Sequence, residues 1–232
     1  MFFVLDTNTK TRKIHINRIT IAEDMFYYLI KTRQKNGLPN WKKIRRKIEK
    51  LSNIPSPIML TPENVAAPTW TQPVDCDSLF ETVVLEHLIN KLKSEKTKKS
   101  MGVVDLENRY IPQVQRLSVA AISVTVVSAA PEKYSRAFEQ FADRYGTYPI
   151  ITDSLTALKN CNTVIVTGTQ TGQLLTGGKL LFTNPKYLDP RQFFVEQINE
   201  SGFPPQINRL KILFAIRKYY NVAISVRNIF LT

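Results

Sequence analysis

An α/β fold built on a mostly parallel sheet with helices on both faces, joined to a smaller α+β N-terminal region, is what this sequence predicts from three observations. First, short apolar runs alternate with helical stretches between residues 101 and 185: MGVVD at 101–105, the β-branched SVTVVS at 123–128, TVIVT at 163–167 and KLLFT at 179–183. Strand–helix–strand crossovers are right-handed, so alternation of this kind gives a parallel sheet covered by helices. Second, the helical stretches carry their own punctuation, with Pro131 opening one and Gly146 standing where a left-handed cap closes it. Third, residues 1–96 differ in character, with a strongly basic stretch followed by a proline-rich connector.

The chain has 232 residues, 43% of them hydrophobic, enough for a core in one large domain or two small ones. No apolar run approaches the roughly 18–20 residues of a membrane span. The apolar residues 1–5 have no basic residue before them and end at Asp6, so they read as a strand and not as a signal segment. Two cysteines, Cys76 and Cys161, and two histidines, His15 and His87, fall in no metal-ligand or catalytic spacing. The expectation is a cytoplasmic protein with reduced thiols, no metal and no cofactor.

Residues 2–6 and 13–19 read as a β-hairpin around the polar turn 7–10, with Ile14 and Ile16 alternating against His15 and Asn17. Thr20 and Glu23 form a T-x-x-E capping box ahead of Ile21, Met25, Phe26, Leu29 and Ile30, which predicts a helix stopping near Asn36 and Gly37. Asn40 is placed to cap a second helix over 41–51. On it Trp41, Ile44, Ile48 and Leu51 make a narrow apolar stripe, while Lys42, Lys43, Arg45, Arg46 and Lys47 occupy the remaining surface.

Thirteen Lys and Arg lie between Lys10 and Lys50 against three acids, so this stretch carries ten of the thirteen net positive charges. A concentrated positive field attracts polyanions without reading their sequence. The five basic residues of the 41–51 helix are therefore the candidate contacts for nucleic acid or an acidic partner, with residues 20–35 supplying the other half of a helix-turn-helix. A solvated basic face is the competing reading.

Pro55, Pro57, Pro62, Pro68 and Pro73 make 53–76 an extended surface connector with one short strand at 57–60. Ser78 and Glu81 form another capping box, opening a helix to Lys93 whose apolar face is Leu79, Val83, Leu88, Ile89 and Leu92. The lysine-rich run 91–100 then marks a boundary. Domains follow at 1–96, 97–188 and 189–232, the last packing back on the first.

Strands are expected at 102–105, 123–128, 148–152, 163–167 and 179–183, with a crossover helix over 112–121 and a short helix over 154–159 capped by Asp153. In the helix from Pro131, the stripe Tyr134, Ala137, Phe138, Phe141, Ala142 and Tyr145 is core packing. Asp189 and Pro190 open a helix containing Phe193, Phe194 and Ile198; a longer one runs to Tyr220, and 222–231 is a final strand. No acid follows Glu200, so Arg209, Lys211, Arg217, Lys218 and Arg227 add a second basic patch.

Ligands on parallel sheets gather at the carboxyl ends of strands. The candidate ligand contacts are Asp105, Asn108 and Arg109 after the first strand and Gly168, Thr169, Gln170, Thr171 and Gly172 after the fourth, where glycines admit close approach and polar groups hydrogen-bond. Asp105 reads either as a carboxylate facing a ligand or as the cap of the helix that follows. The 168–172 loop reads either as a contact loop or as a polar turn.

Over 123–185, the segments SVTVVSAAPEKYSRAFEQFADRYG, ALKNCNTVIVTGT and GGKLLFTNP resemble in pattern the NAD(P)-binding half of shikimate dehydrogenases and glutamyl-tRNA reductases. The chain is also similar, in a general way, to Rossmann-like proteins of spore-forming bacteria. The resemblance implies a Rossmann-like module and, in those enzymes, NAD(P). The sequence departs from it at three places. Asp105, Glu107 and Pro112 stand where a glycine-rich loop would receive phosphate; 128–131 (SAAP) has no Asp, Glu or Arg to read a ribose; and Thr61, Pro62 and Glu63 do not supply the lysine and aspartate of shikimate reduction. Asp105, Lys179 and Tyr187 alone offer acid–base chemistry. The expected function is a degenerate Rossmann-like protein without a standard dinucleotide loop, non-catalytic or binding an atypical small molecule or protein partner. The alternatives are a divergent NAD(P)-dependent oxidoreductase and a nucleic-acid or acidic-partner binding module.

Overall fold

A computed structural model describes residues 1–9, 13–34, 38–72, 74, 76–95, 98–168 and 178–227. They fall into two compact units, Met1–Cys76 with Phe193–Ile224 and Asp77–Gln192 with Ser225–Thr232. The α-helices among the described residues are α1 (Trp41–Glu49), α2 (Asp77–Ser94), α3 (Ile111–Ala120), α4 (Pro131–Tyr145) and α5 (Arg209–Tyr220). None is long and apolar enough to cross a membrane.

The first unit is a four-stranded sheet of β1 (Phe2–Asp6), β2 (His15–Ala22), β3 (Met25–Lys31) and β4 (Ile58–Leu60), in the order β2-β3-β1-β4. β1 runs parallel to both β3 and β4, and β2 is antiparallel to β3. The strands expected at 2–6 and 13–19 are present, but they do not pair with each other, because β3 lies between them. Residues 25–31 (MFYYLIK) are this central strand and not the expected helix, which also removes the first half of the helix-turn-helix. Tyr27 stacks on Phe2 and Tyr28 on Phe3, so both faces of β3 meet aromatic rings of β1. A strand covered on both faces reads as a continuous apolar run, a pattern that helical spacing imitates. Glu23 and Asp24 form the turn between β2 and β3.

Helix α1 forms as expected, with the Asn40 side chain accepting the Lys43 backbone N–H at 3.1 Å. Its Ile44 and Ile48 are buried against Phe3, Leu5, Ile30 and Met59, worth about 1.5–3 kcal/mol each. Helix α5 lies against Phe2 and Phe26: Tyr219 stacks on Phe2, and the Tyr220 hydroxyl accepts the Phe26 N–H at 2.9 Å. Within the 53–76 connector, β4 is buried beside β1 and does not wrap over the surface, since the prolines flank the strand and leave its interior free to pair. The helix expected from Asp189 is a single 3-10 turn, Pro190–Gln192, followed by an extended Phe193–Phe194. The Asp189 carboxylate accepts the Arg191 backbone N–H, a local bond that competes with helix propagation.

The second unit is a five-stranded, wholly parallel sheet of β5 (Ser100–Val104), β6 (Ser123–Val127), β7 (Ile150–Thr152), β8 (Thr163–Val166) and β9 (Lys179–Phe182), in the order β7-β6-β5-β8-β9. The chain winds outward from β5 through β6 to β7, then returns to β8 and β9 on the other side. This is the Rossmann-like, doubly wound order, with its topological switch point between β5 and β8.

Helix α3 packs against both α2 and α4, which brings α2 into this unit although a boundary was expected after it. On another face, Leu158 and Cys161 of and after the 3-10 segment Leu155–Asn160 pack on Val104, Val127, Val164 and Val166. That segment begins without a side-chain cap, so Asp153 does not serve as one. Gly146 closes α4 at φ 65°, as expected. Gly178 is required for a different reason: a Cβ there would stand 2.1 Å from the Cys161 carbonyl oxygen, and the close approach lets the Lys179 N–H reach Asn162 O at 3.0 Å.

Candidate functional site

At the switch point, Asp105 is the first residue beyond β5. Its carboxylate accepts the backbone N–H groups of Arg109 at 3.1 Å and Tyr110 at 2.9 Å, and the Tyr134 hydroxyl at 2.6 Å. In a dinucleotide-binding fold such turn amides receive the pyrophosphate. Here a side-chain carboxyl of the protein itself takes that place, holding the turn ahead of α3; it does not cap the helix, whose N-cap is Tyr110 with no side-chain cap. Asn108 adopts φ 58° and its Oδ1 accepts the Ser128 hydroxyl at 2.7 Å, while Ser128 Oγ accepts the Ala130 N–H. The Arg109 side chain is exposed and pairs with Glu107.

The remaining space is taken by a contact between α2 and the turn. Glu81 accepts the Tyr110 hydroxyl, the Gly168 backbone N–H at 3.0 Å and the Asn184 side chain. Asp105 and Glu81 are each 1% exposed and Tyr110 is 3% exposed. Burial pushes the Glu81 carboxyl above its usual range, outweighing the three hydrogen bonds that favour its charged form, and Asp77 adds to the rise. The Tyr110 and Tyr134 phenols are also pushed up, first by burial and then by their carboxylate neighbours. A cavity of about 30 Å³ remains between Glu81, Asp105, Tyr110 and Gly168. That accommodates a water or two, whereas cofactor pockets measure roughly 300–1,000 Å³.

Thr169, Gln170, Thr171 and Gly172 lie outside the described residues. The acid–base candidates are not brought together: Asp105 is at the carboxyl edge of the sheet, Lys179 opens β9 at the amino edge, and Tyr187 packs its ring 5.1 Å from that of Phe182. Among the described residues no three His, Cys, Asp or Glu side chains gather as a metal set.

Of the five basic residues expected to meet polyanions, Lys43, Arg46 and Lys47 line a cleft of about 1,110 Å³ in the first unit, and Lys42 and Arg45 do not. Arg45 instead pairs with Glu49 at 2.9 Å and lies over the Trp70 ring. The C-terminal cations are dispersed. Arg209 pairs with Glu200, Lys218 bonds Gln72 and Lys211 lines a separate cavity beside Glu63.

Comparison with protein-family models, curated proteins and solved structures finds no match for this chain. The residues that close the crevice escaped the sequence reading in two ways. Glu81 read as part of a capping box, although its spacing to Leu85, Leu88 and Leu92 sets it on the buried side of α2, where a carboxylate demands partners. Tyr134 read as core because the aromatic stripe of α4 hides a hydroxyl that needs an acceptor. In chain order α2 begins at Asp77, ahead of Ser78, so Ser78 is inside the helix and no capping box forms.

Proposed function

We propose that the second unit is a Rossmann-like scaffold whose dinucleotide crevice is given over to internal packing, and that the protein acts by binding an atypical ligand or partner rather than as a dehydrogenase. One observation carries this reading: Glu81, Tyr110 and Asp105 occupy, fully buried, the switch-point position that a pyrophosphate and nicotinamide ribose would require. Admitting a dinucleotide would separate Tyr110 from Glu81, strand two carboxylates away from water and release the Arg109 and Tyr110 amides. Each unpaired buried polar group costs about 1–3 kcal/mol and more for a charge, which a cofactor would have to offset before binding.

Calorimetric titration with NAD+, NADH, NADP+ and NADPH tests the proposal. No heat of binding up to millimolar cofactor is expected. Saturable binding in the micromolar range, lost on placing a β-branched side chain at the loop with Gly168→Val, would restore the divergent oxidoreductase and end this reading.

A further inference from the structure

We infer that the first unit binds the phosphate backbone of duplex nucleic acid in the cleft at the carboxyl end of β3. Three separate stretches build this cleft. Because β2 is antiparallel to β3, with His15 opposite Lys31, the start of β2 and the end of β3 lie at one edge of the sheet. Lys13 and His15 come from the first and Arg33 from the second. Helix α1 adds Lys43, Arg46 and Lys47, whose i, i+3, i+4 spacing places them on one side of the helix.

All six side chains belong to exposed residues, and none of the described lining residues is acidic. Two nearby acids in sequence are engaged elsewhere. Asp6, at the end of β1, accepts the Asn8 N–H and the Gln206 side chain, and Glu49 holds Arg45.

The chemistry of the walls selects among anions. At about 1,110 Å³ the cleft has room for more than a single bound ion. Single strands are held by aromatic platforms, and protein partners by buried aromatic anchors; no Phe, Tyr or Trp is among the described lining residues. What the cleft offers is five permanent cations on α1, the loop before β2 and the segment after β3. That is the equipment for successive phosphates, with Arg33 and Arg46 able to grip two oxygens at once.

The experiment is fluorescence anisotropy of the full chain with a labelled 24-base-pair DNA duplex and an RNA duplex of the same length. Binding at 50 mM salt is expected, with log K falling against log salt at a slope between about −3 and −5, as four or five neutralised phosphates give. Lys43→Glu/Arg46→Glu/Lys47→Glu should weaken binding roughly a hundredfold, judged by the same counterion-release relation. Lys133→Glu/Arg136→Glu/Lys159→Glu, which changes net charge equally on exposed residues of the second unit, should weaken it far less.

Arg33→Gln, a single change outside α1, provides the same test with little risk to folding and should lower affinity severalfold. No binding at 50 mM salt overturns the inference, as does equal loss in the two triple variants. A poly-glutamate peptide competing as well as the duplex would reassign the cleft to an acidic protein partner and also overturn it. None of these results bears on the cofactor titration above, so the two proposals stand or fall separately.

Discussion

The Tyr110 hydroxyl donates to the Glu81 carboxylate across 29 residues of sequence, and this buried pair fills the crevice between β5 and β8. Tyr110 is tied at both ends, since its backbone N–H is held by Asp105. A turn that lacks the glycines of a phosphate loop thus gains in their place an aromatic residue and two internal carboxyl groups.

Replacing either phenol should reveal the strength of that closure. Tyr110→Phe removes one donor from Glu81, and Tyr134→Phe removes one from Asp105; each is expected to cost about 1–3 kcal/mol in denaturant unfolding. Tyr110→Phe combined with Glu81→Gln should cost less than the two changes added, because they break one shared contact. Strict additivity would show that the pair does not interact in solution.

Glu81 also sets a pH dependence. Burial raises its folded value above the 4.5 of an ordinary glutamate, so between those two values the folded state holds the proton and the unfolded state does not. The contribution of this group to stability is full below about pH 4.5 and is lost as pH rises through the folded value. Glu81→Gln has no such loss. In urea unfolding between pH 4.5 and 8, the variant should gain on the parent as pH rises; parallel curves would count against the assignment.

Asp105 satisfies three donors at once, two of them backbone amides of the β5–α3 turn. Asp105→Ala leaves all three without their acceptor, two of them buried, and is expected to cost about 3 kcal/mol or more. Asp105→Asn retains an acceptor oxygen and should cost less. Thermal or denaturant midpoints of the two variants check the order.

Two glycines should respond in different degrees. At Gly146, φ 65° disfavours alanine but nothing lies within 4 Å of a Cβ, so Gly146→Ala is expected to cost about 1–2 kcal/mol. At Gly178 the added carbon meets the Cys161–Asn162 backbone, and β9 must move away from β8. Hydrogen exchange of the Leu180 and Leu181 amides should accelerate in Gly178→Ala and stay unchanged in Gly146→Ala.

The parallel sheet of the second unit was legible because its signals are local. Each apolar run is short, α3 and α4 open on prolines and Gly146 closes α4, and the alternation constrains handedness and direction. The same holds for α1, where Asn40 and the pair Ile44 and Ile48 act within two turns of helix. In the first unit local signals misled. Thr20 and Glu23 form a capping pattern, and Met25, Phe26, Leu29 and Ile30 fit a helical face, yet pairing with β1 on one side and β2 on the other makes β3 a strand. Backbone pairing and burial on both faces outweigh a cap worth about 1 kcal/mol.

What the sequence determined alone is the order of elements from Ser100 to Phe182, the basic character of residues 10–50 and the lack of a glycine phosphate loop after β5. The tertiary structure decided what occupies the loop's place and which cations act together. A carboxylate and a phenol 29 residues apart leave no periodic trace of their contact, and Lys13, Arg33 and Lys43 share a cleft only because an antiparallel pairing returns the chain to one edge of a sheet. Propensity and capping act over a few residues; burial of polar groups and convergence of charge depend on distances that only folding sets.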